Sequence, residues 1–230
     1  RSGGAGPATG PGPSTDRTCD VRLPIMAKIF KSGRLREAGK VRSYIRAAYA
    51  AGIAARQSAE ASDALRRIGI TSNPARDLST IANASTPGER ALSLAELRAY
   101  WRRIESLTGP DGALMRFHLL TGGQRIAQLS RVTITEWDAD SQTILILDGK
   151  GRRQRPRRHY VPLTPAAVQC MADMRGKGLG PYIFTADHGV SGAQYFVFSR
   201  RLAAVVAEMM EAGELPGGKF TPGDIRRTVE

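Results

Sequence analysis

The sequence predicts a mainly α protein with one small antiparallel sheet (α+β): a helical N-terminal domain, then a mixed domain of helices and a β-hairpin. Two observations carry this. Apolar residues recur at helical spacing from about Leu23 to Leu78, and after Arg131 the period changes to two over three short segments. The 41% apolar content of the 230 residues is enough for a core, and the few aromatics (6%) leave it to Leu, Ile, Val and Ala.

Residues 1–20 read as a flexible tail, since their first fifteen are Gly, Pro, Ser, Ala and Thr around one arginine. The chain opens on Arg1 instead of Met and is read as a fragment. In the helical domain, 21–78, Val41, Tyr44, Ile45 and Ala48 form an apolar stripe within Gly39–Gln57, so Tyr44 is expected in the core. Ser72-Asn73-Pro74 is expected to close its last helix, because the residue before proline is pushed out of the α region. Residues 79–90 read as a linker, leaving 91–230 as the second domain.

There, Ser93 and Glu96 form a capping box opening a helix to about Ser106. A helix over Ala113–Leu120 ends at Thr121-Gly122-Gly123. Strands are expected at Val132–Trp137, Thr143–Leu147 and His159–Leu163. Thr164 and Pro165 supply an N-cap and a proline at the first helical position. A helix from about Gly192 to Met210 and a short one from Pro222 follow.

No run approaches the ~18 apolar residues of a membrane span; Cys19 and Cys170 could form one disulfide, but two cysteines far apart in sequence fit a reducing cytoplasm better. Three histidines, His118, His159 and His188, form no metal-binding pattern. A net charge of +13 points to a polyanion, and the phosphate backbone is the commonest one. The charge is concentrated: residues 21–85 hold twelve Lys/Arg against four Asp/Glu, with Lys40, Arg42 and Arg46 along one helix. Residues 150–158 hold six cations and no anion, Lys150, Arg152 and Arg153 among them. Any one of these runs could be a solvated face, and a basic ribosomal or membrane-surface protein would share the charge; a surplus this concentrated is equally consistent with a phosphate-contacting surface.

Three separated segments, Thr121-Gly122-Gly123-Gln124-Arg125, Gly149-Lys150-Gly151 leading to Val161-Pro162-Leu163, and Thr221-Pro222-Gly223-Asp224-Ile225-Arg226, come in an order that resembles the tyrosine recombinase (phage integrase) family. The resemblance covers about residues 20–230 and implies a core-binding domain followed by a catalytic domain. It implies Arg125, Lys150 and Arg226 as catalytic residues, with Lys40, Arg42, Arg46, Arg152 and Arg153 contacting DNA. The implied activity is site-specific DNA recombination through a phosphotyrosine intermediate, without cofactor or metal. Implied partners are a double-stranded DNA site and further copies of the chain on it, and the implied setting is the cytoplasm of a bacterium carrying a phage or mobile element. No membrane partner is expected.

Two positions depart from the family pattern. Gly223 stands where the last box carries a histidine, and Gln128 stands where an acidic residue is common. None of the six tyrosines matches the family's nucleophile context, so the attacking tyrosine is expected beyond Glu230. Gly223 also admits a second reading, a DNA-binding protein that keeps the fold without cutting.

The chemistry asked of these residues is phosphoryl transfer. Two guanidiniums, always charged and forked, can hold the non-bridging oxygens as negative charge develops. A lysine on a hairpin can protonate the leaving oxygen if neighbouring cations bring its ordinary value of ~10.4 down. A phosphotyrosine conserves the bond energy, so no ATP is needed.

Overall fold

The computed structural model describes residues 17–84, 88–149, 155–178 and 180–230. The chain divides into two compact units, 1–87 and 88–230, each with its own packing.

In the first unit, α1 (Arg17–Lys31) and α2 (Leu35–Ala55) pack together across a turn at Ser32–Gly33, and a single further turn, α3 (Asp63–Arg67), follows. Helix α1 thus starts inside the stretch read as tail; residues 1–16 lie outside the described residues. Tyr44 is 69% exposed, against expectation. The buried line of α2 runs instead through Ala38, Gly52 and Ala55, small residues that let chain approach closely. A β-carbon on Gly52 would sit 2.5 Å from Ile70 Cδ1. Helix also ends earlier than expected, at Arg67, and residues 70–84 run irregularly. They are fixed by polar contacts: Asn73 Nδ2 donates to the Arg46 carbonyl (3.1 Å), Asn73 Oδ1 accepts from the Ala75 N–H, and Arg42 Nε donates to the Leu78 carbonyl (2.7 Å). Asn73 is an Asx turn here, not a helix stop.

In the second unit, α4 (Leu94–Ser106) opens with the expected capping box of Ser93 and Glu96. Helix α5 (Gly109–Leu120) starts four residues earlier than expected, at Gly109, because Thr108-Gly109-Pro110 places proline in its first turn. After α6 (Ile126–Leu129) the expected strand 132–137 is mostly absent. Glu136 accepts from both the N–H and the hydroxyl of Thr133, which winds Ile134–Glu136 into a 3-10 turn and leaves only Trp137–Asp138 as β1. A side-chain cap has outcompeted the ladder. Strands β2 (Thr143–Asp148) and β3 (Arg157–Pro162) pair antiparallel in the order β1-β2-β3. Helix α7 (Pro165–Arg175) packs on α5, with Thr164 capping it as expected. Helix α8 (Tyr195–Glu211) begins three residues later than expected, since Asp187 accepts from the N–H and hydroxyl of Ser191 and holds the preceding chain in a loop. Helix α9 (Pro222–Val229) closes the unit.

The core lies between the helices and one face of the sheet. Tyr100, Phe117, Phe184, Phe198, Ile144 and Ile146 are fully buried in it. Cys170 is buried and free.

Glu96 is buried, and Arg90 grips it with two nitrogens (2.7 and 3.0 Å) while the Ser93 and Gly217 N–H groups also donate to it. The Arg90 guanidinium, helped by those two N–H groups and opposed by burial, lowers the carboxyl from 4.5 to about 2. The folded value is depressed, so this contribution is complete above about pH 4.5 and is lost as pH falls towards 2. A shift of that size corresponds to roughly 3 kcal/mol. In acid titrations of unfolding free energy, Glu96→Gln is therefore expected to be less stable at neutral pH and to lose much of the acid limb between those values. An unchanged acid limb would show that the pair contributes nothing.

Candidate phosphate-binding site

Three elements converge at one end of the sheet. The first is the turn after α5. Its Gly123 N–H donates to the His118 carbonyl (2.9 Å) and its Gly122 N–H to the Leu119 carbonyl (3.0 Å), a Schellman closure. Both glycines have positive φ, +75° and +62°. Below the turn, His118 Nε2 donates to the Gln124 carbonyl at 3.1 Å, while its Nδ1 makes no hydrogen bond. Burial, with the nearby Arg226 charge adding to it, lowers this imidazole to about 4, so it is neutral at pH 7. It positions the loop and carries no charge into the site. Arg125 follows as the N-cap of α6.

The second element is the sheet. Even-numbered residues of β2 face the core, Ile144 and Ile146 buried, and Asp148 continues that face where the core ends. Gln128 Nε2 donates to Asp148 Oδ1 at 2.6 Å, and Arg125 lies 3.5 Å from the same oxygen. The carboxylate missing at position 128 is thus supplied from the strand, with Gln128 holding it.

The third is α9. Asp224 accepts from the N–H and hydroxyl of its N-cap Thr221, both at 2.7 Å, and pairs with Arg227. The helix is tied to the start of the unit, because Arg227 Nε donates to the Arg90 carbonyl and the Leu92 N–H donates to Thr228 Oγ1. Arg226, thus fixed, pairs with Glu230 (2.7 Å) and reaches Gln124 Oε1 (3.5 Å). A β-carbon on Gly123 would lie 2.6 Å from Arg226 Cα, so the two arginine-bearing segments meet backbone to backbone.

Together these segments enclose a cavity of about 160 Å³ lined by Gln124, Arg125, Gln128, Asp148, Arg157, His159 and Arg226. That is the space of roughly five waters, room for one tetrahedral oxyanion. Arg125 and Arg226, 101 positions apart, both line this cavity. Lys150, Arg152 and Arg153 lie outside the described residues. Of the first unit's candidates, exposed Lys40 and half-buried Arg42 line a groove of about 900 Å³ with Arg36 and Tyr44, while Arg42 spends its Nε on Leu78 and Arg46 is half-buried. In the sequence Arg157 is one of an undifferentiated basic run and His159 belongs to no functional pattern; the period of two in β3 is the signal that places both. An adjoining, mostly apolar cavity of about 230 Å³ holds Gly223 and, unexpectedly, Tyr195 beside Arg226. No cluster of three His, Cys, Asp or Glu that could hold a metal occurs among the described residues, and no helix among them is long and apolar enough to cross a membrane.

No family model and no curated protein matches the sequence. Solved structures do. The Tn1549 transposon integrase in complex with transposon right end DNA matches with a TM-score of 0.62 at 16% identity, over 96% of this chain and 73% of that one. A lambda integrase dimer bound to a COC′ core site matches at 0.56 and 16% identity, over 96% and 72%. A lambda integrase tetramer bound to a Holliday junction matches at 0.56 and 16%, over 93% and 59%. At this identity the likeness is one of architecture, and it takes in both units: the chain has the fold of the tyrosine recombinase integrases.

Proposed function

We propose that this chain is the DNA-binding and catalytic part of a site-specific DNA recombinase, which breaks and rejoins duplex DNA through a phosphotyrosine intermediate and works as an oligomer on its site. The observation that carries the reading is the cavity holding Arg125 and Arg226 from segments far apart in sequence. Two forks aimed into one oxyanion-sized space can stabilise charge on the non-bridging oxygens of a phosphodiester. The fold shared with integrases whose structures were solved in complex with DNA and the basic groove of the first unit support duplex DNA as the ligand.

Lys150, in the connection between β2 and β3, is assigned as the acid that protonates the leaving 5′ oxygen. None of the six tyrosines lines the cavity of Arg125 and Arg226, so the nucleophile is assigned to a tyrosine outside these residues; Tyr100 is fully buried, Tyr160 lies on the other face of the sheet, and Tyr195 lines the adjoining cavity.

A nicked suicide duplex, read on a denaturing gel, tests the reading. The chain alone should hold DNA without a covalent bond. Mixed with a copy that carries the attacking tyrosine but lacks Arg125, it should give a protein–DNA adduct. Adduct from the chain alone that disappears in Tyr195→Phe would move the nucleophile to Tyr195. No adduct in the mixture would favour the second reading, a non-cleaving DNA-binding protein, which Gly223 supports by bringing no side chain to the site. In the mixture, Lys150→Ala should slow adduct formation by about 100-fold or more. A substrate with sulfur as the leaving atom, which departs without a proton, should restore it; failure to rescue would remove the general-acid assignment.

A further inference from the structure

Strand β3 brings two more groups to the pocket. Arg157, His159 and Val161 share a face, opposite Asp148, Ile146 and Ile144 of β2. Val161 and its partners are buried in the core, and the same face, continued past the core's edge, puts Arg157 and His159 at the cavity that Arg125 and Arg226 line. The intervening residues point the other way, where the Arg158 guanidinium lies 5.6 Å from the centre of the Tyr160 ring.

Among the described residues, the charged groups around His159 are therefore Arg157 on its own strand, Asp148 on β2, Arg125 at the start of α6, and Arg226 on α9 with Glu230 behind it. Three guanidiniums outnumber the one lining carboxylate, and that carboxylate is already bonded to Gln128. Histidine is the side chain whose charge changes between about pH 5 and 8. A bound dianion favours the charged form of a histidine beside it.

We propose that Arg157 and His159 are the third and fourth ligands of the phosphate held in this pocket, and that His159 bonds the anion in its protonated form, so that docking takes a proton from solvent. Arg157 would share the non-bridging oxygens with Arg125 and Arg226, and the imidazolium N–H would donate one further charge-assisted bond. This rests on the phosphate-pocket reading above.

The probe is inorganic sulfate, whose own charge is constant across the titration range of histidine, with its affinity for the chain measured from about pH 5 to 8. The unmodified chain should bind about tenfold more tightly at the acid end than at the basic end. His159→Gln, on an exposed edge-strand position, keeps a donor but cannot charge, so it should bind weakly with no such trend. Arg157→Ala should bind about tenfold more weakly at every pH. His188 remains in the His159→Gln protein, and His118 titrates near 4, so neither can produce the difference. The same pH trend in the His159→Gln protein overturns the role of His159, and unchanged affinity in Arg157→Ala overturns that of Arg157. If Arg125→Ala still weakens sulfate in those cases, the pocket reading stands without them. If Arg125→Ala also changes nothing, the pocket reading itself fails.

Discussion

Alanine at Arg125 or at Arg226 is expected to slow covalent adduct formation on a suicide duplex by about 100- to 1,000-fold, the cost of removing one preorganised donor from developing charge. Affinity for the duplex should change far less, because contacts along the backbone outnumber this one phosphate. Both arginines serve one oxyanion, so the double variant should lose little more than the worse single one. Their anchors differ: Arg125 is braced by Asp148, which Gln128 holds, and Arg226 by Glu230 and Gln124. Asp148→Asn should therefore impair adduct formation in the direction of Arg125→Ala, but less. Arg226→Lys should resemble Arg226→Ala more than the unmodified protein, since a point charge does not reproduce the fork. The measurement is the single-turnover rate with the attacking tyrosine supplied in trans. If the two single losses multiplied in the double variant, the arginines would be acting at separate places.

The turn after α5, the strands and the start of α9 are legible in the sequence because each rests on local rules: a glycine-terminated helix, a period of two, and a Thr-Pro helix start; that Arg125 and Arg226 belong together is what the family resemblance implies. The same rules fixed Ser93 and Glu96, whose capping box forms as expected. What stayed hidden depends on tertiary competition. Thr133 and Glu136 form a local cap that turns an apparent strand into a 3-10 turn. Tyr44 fits an apolar stripe, yet α2 buries its small residues and leaves the ring in solvent. Gln128 read as a lost anchor because its partner Asp148 is twenty positions away on a strand, beyond any helical or turn rule. Arg157 stands in a charge run and His159 just after it, but which of these residues face the cavity is decided by the β2–β3 register.

Gly123→Ala is expected to separate the two arginines without unfolding the protein. The position carries two independent constraints. Its φ is +62°, a left-handed conformation costing an L residue about 1–2 kcal/mol. Its missing β-carbon also leaves room for the backbone of α9: the added carbon would sit 2.6 Å from Arg226 Cα and 2.7 Å from Arg226 N. Those atoms belong to the helix backbone and cannot rotate aside, so α9 must retreat by several tenths of an ångström, carrying Arg226 from Arg125. A displacement on the order of 1 Å in a catalytic group can cost about 100-fold in rate. Gly122→Ala is the control. It has the same left-handed conformation, φ +75°, but its added carbon would meet only Gln124 Nε2, at 3.8 Å. Both variants should melt several degrees lower, because each bears the backbone strain. Only Gly123→Ala should also lose sulfate affinity and adduct rate, because only there does the new carbon push on the segment bearing the second arginine. Equal loss of rate in the two variants would mean that loop strain, and not the backbone contact between Gly123 and Arg226, sets the geometry of the pocket.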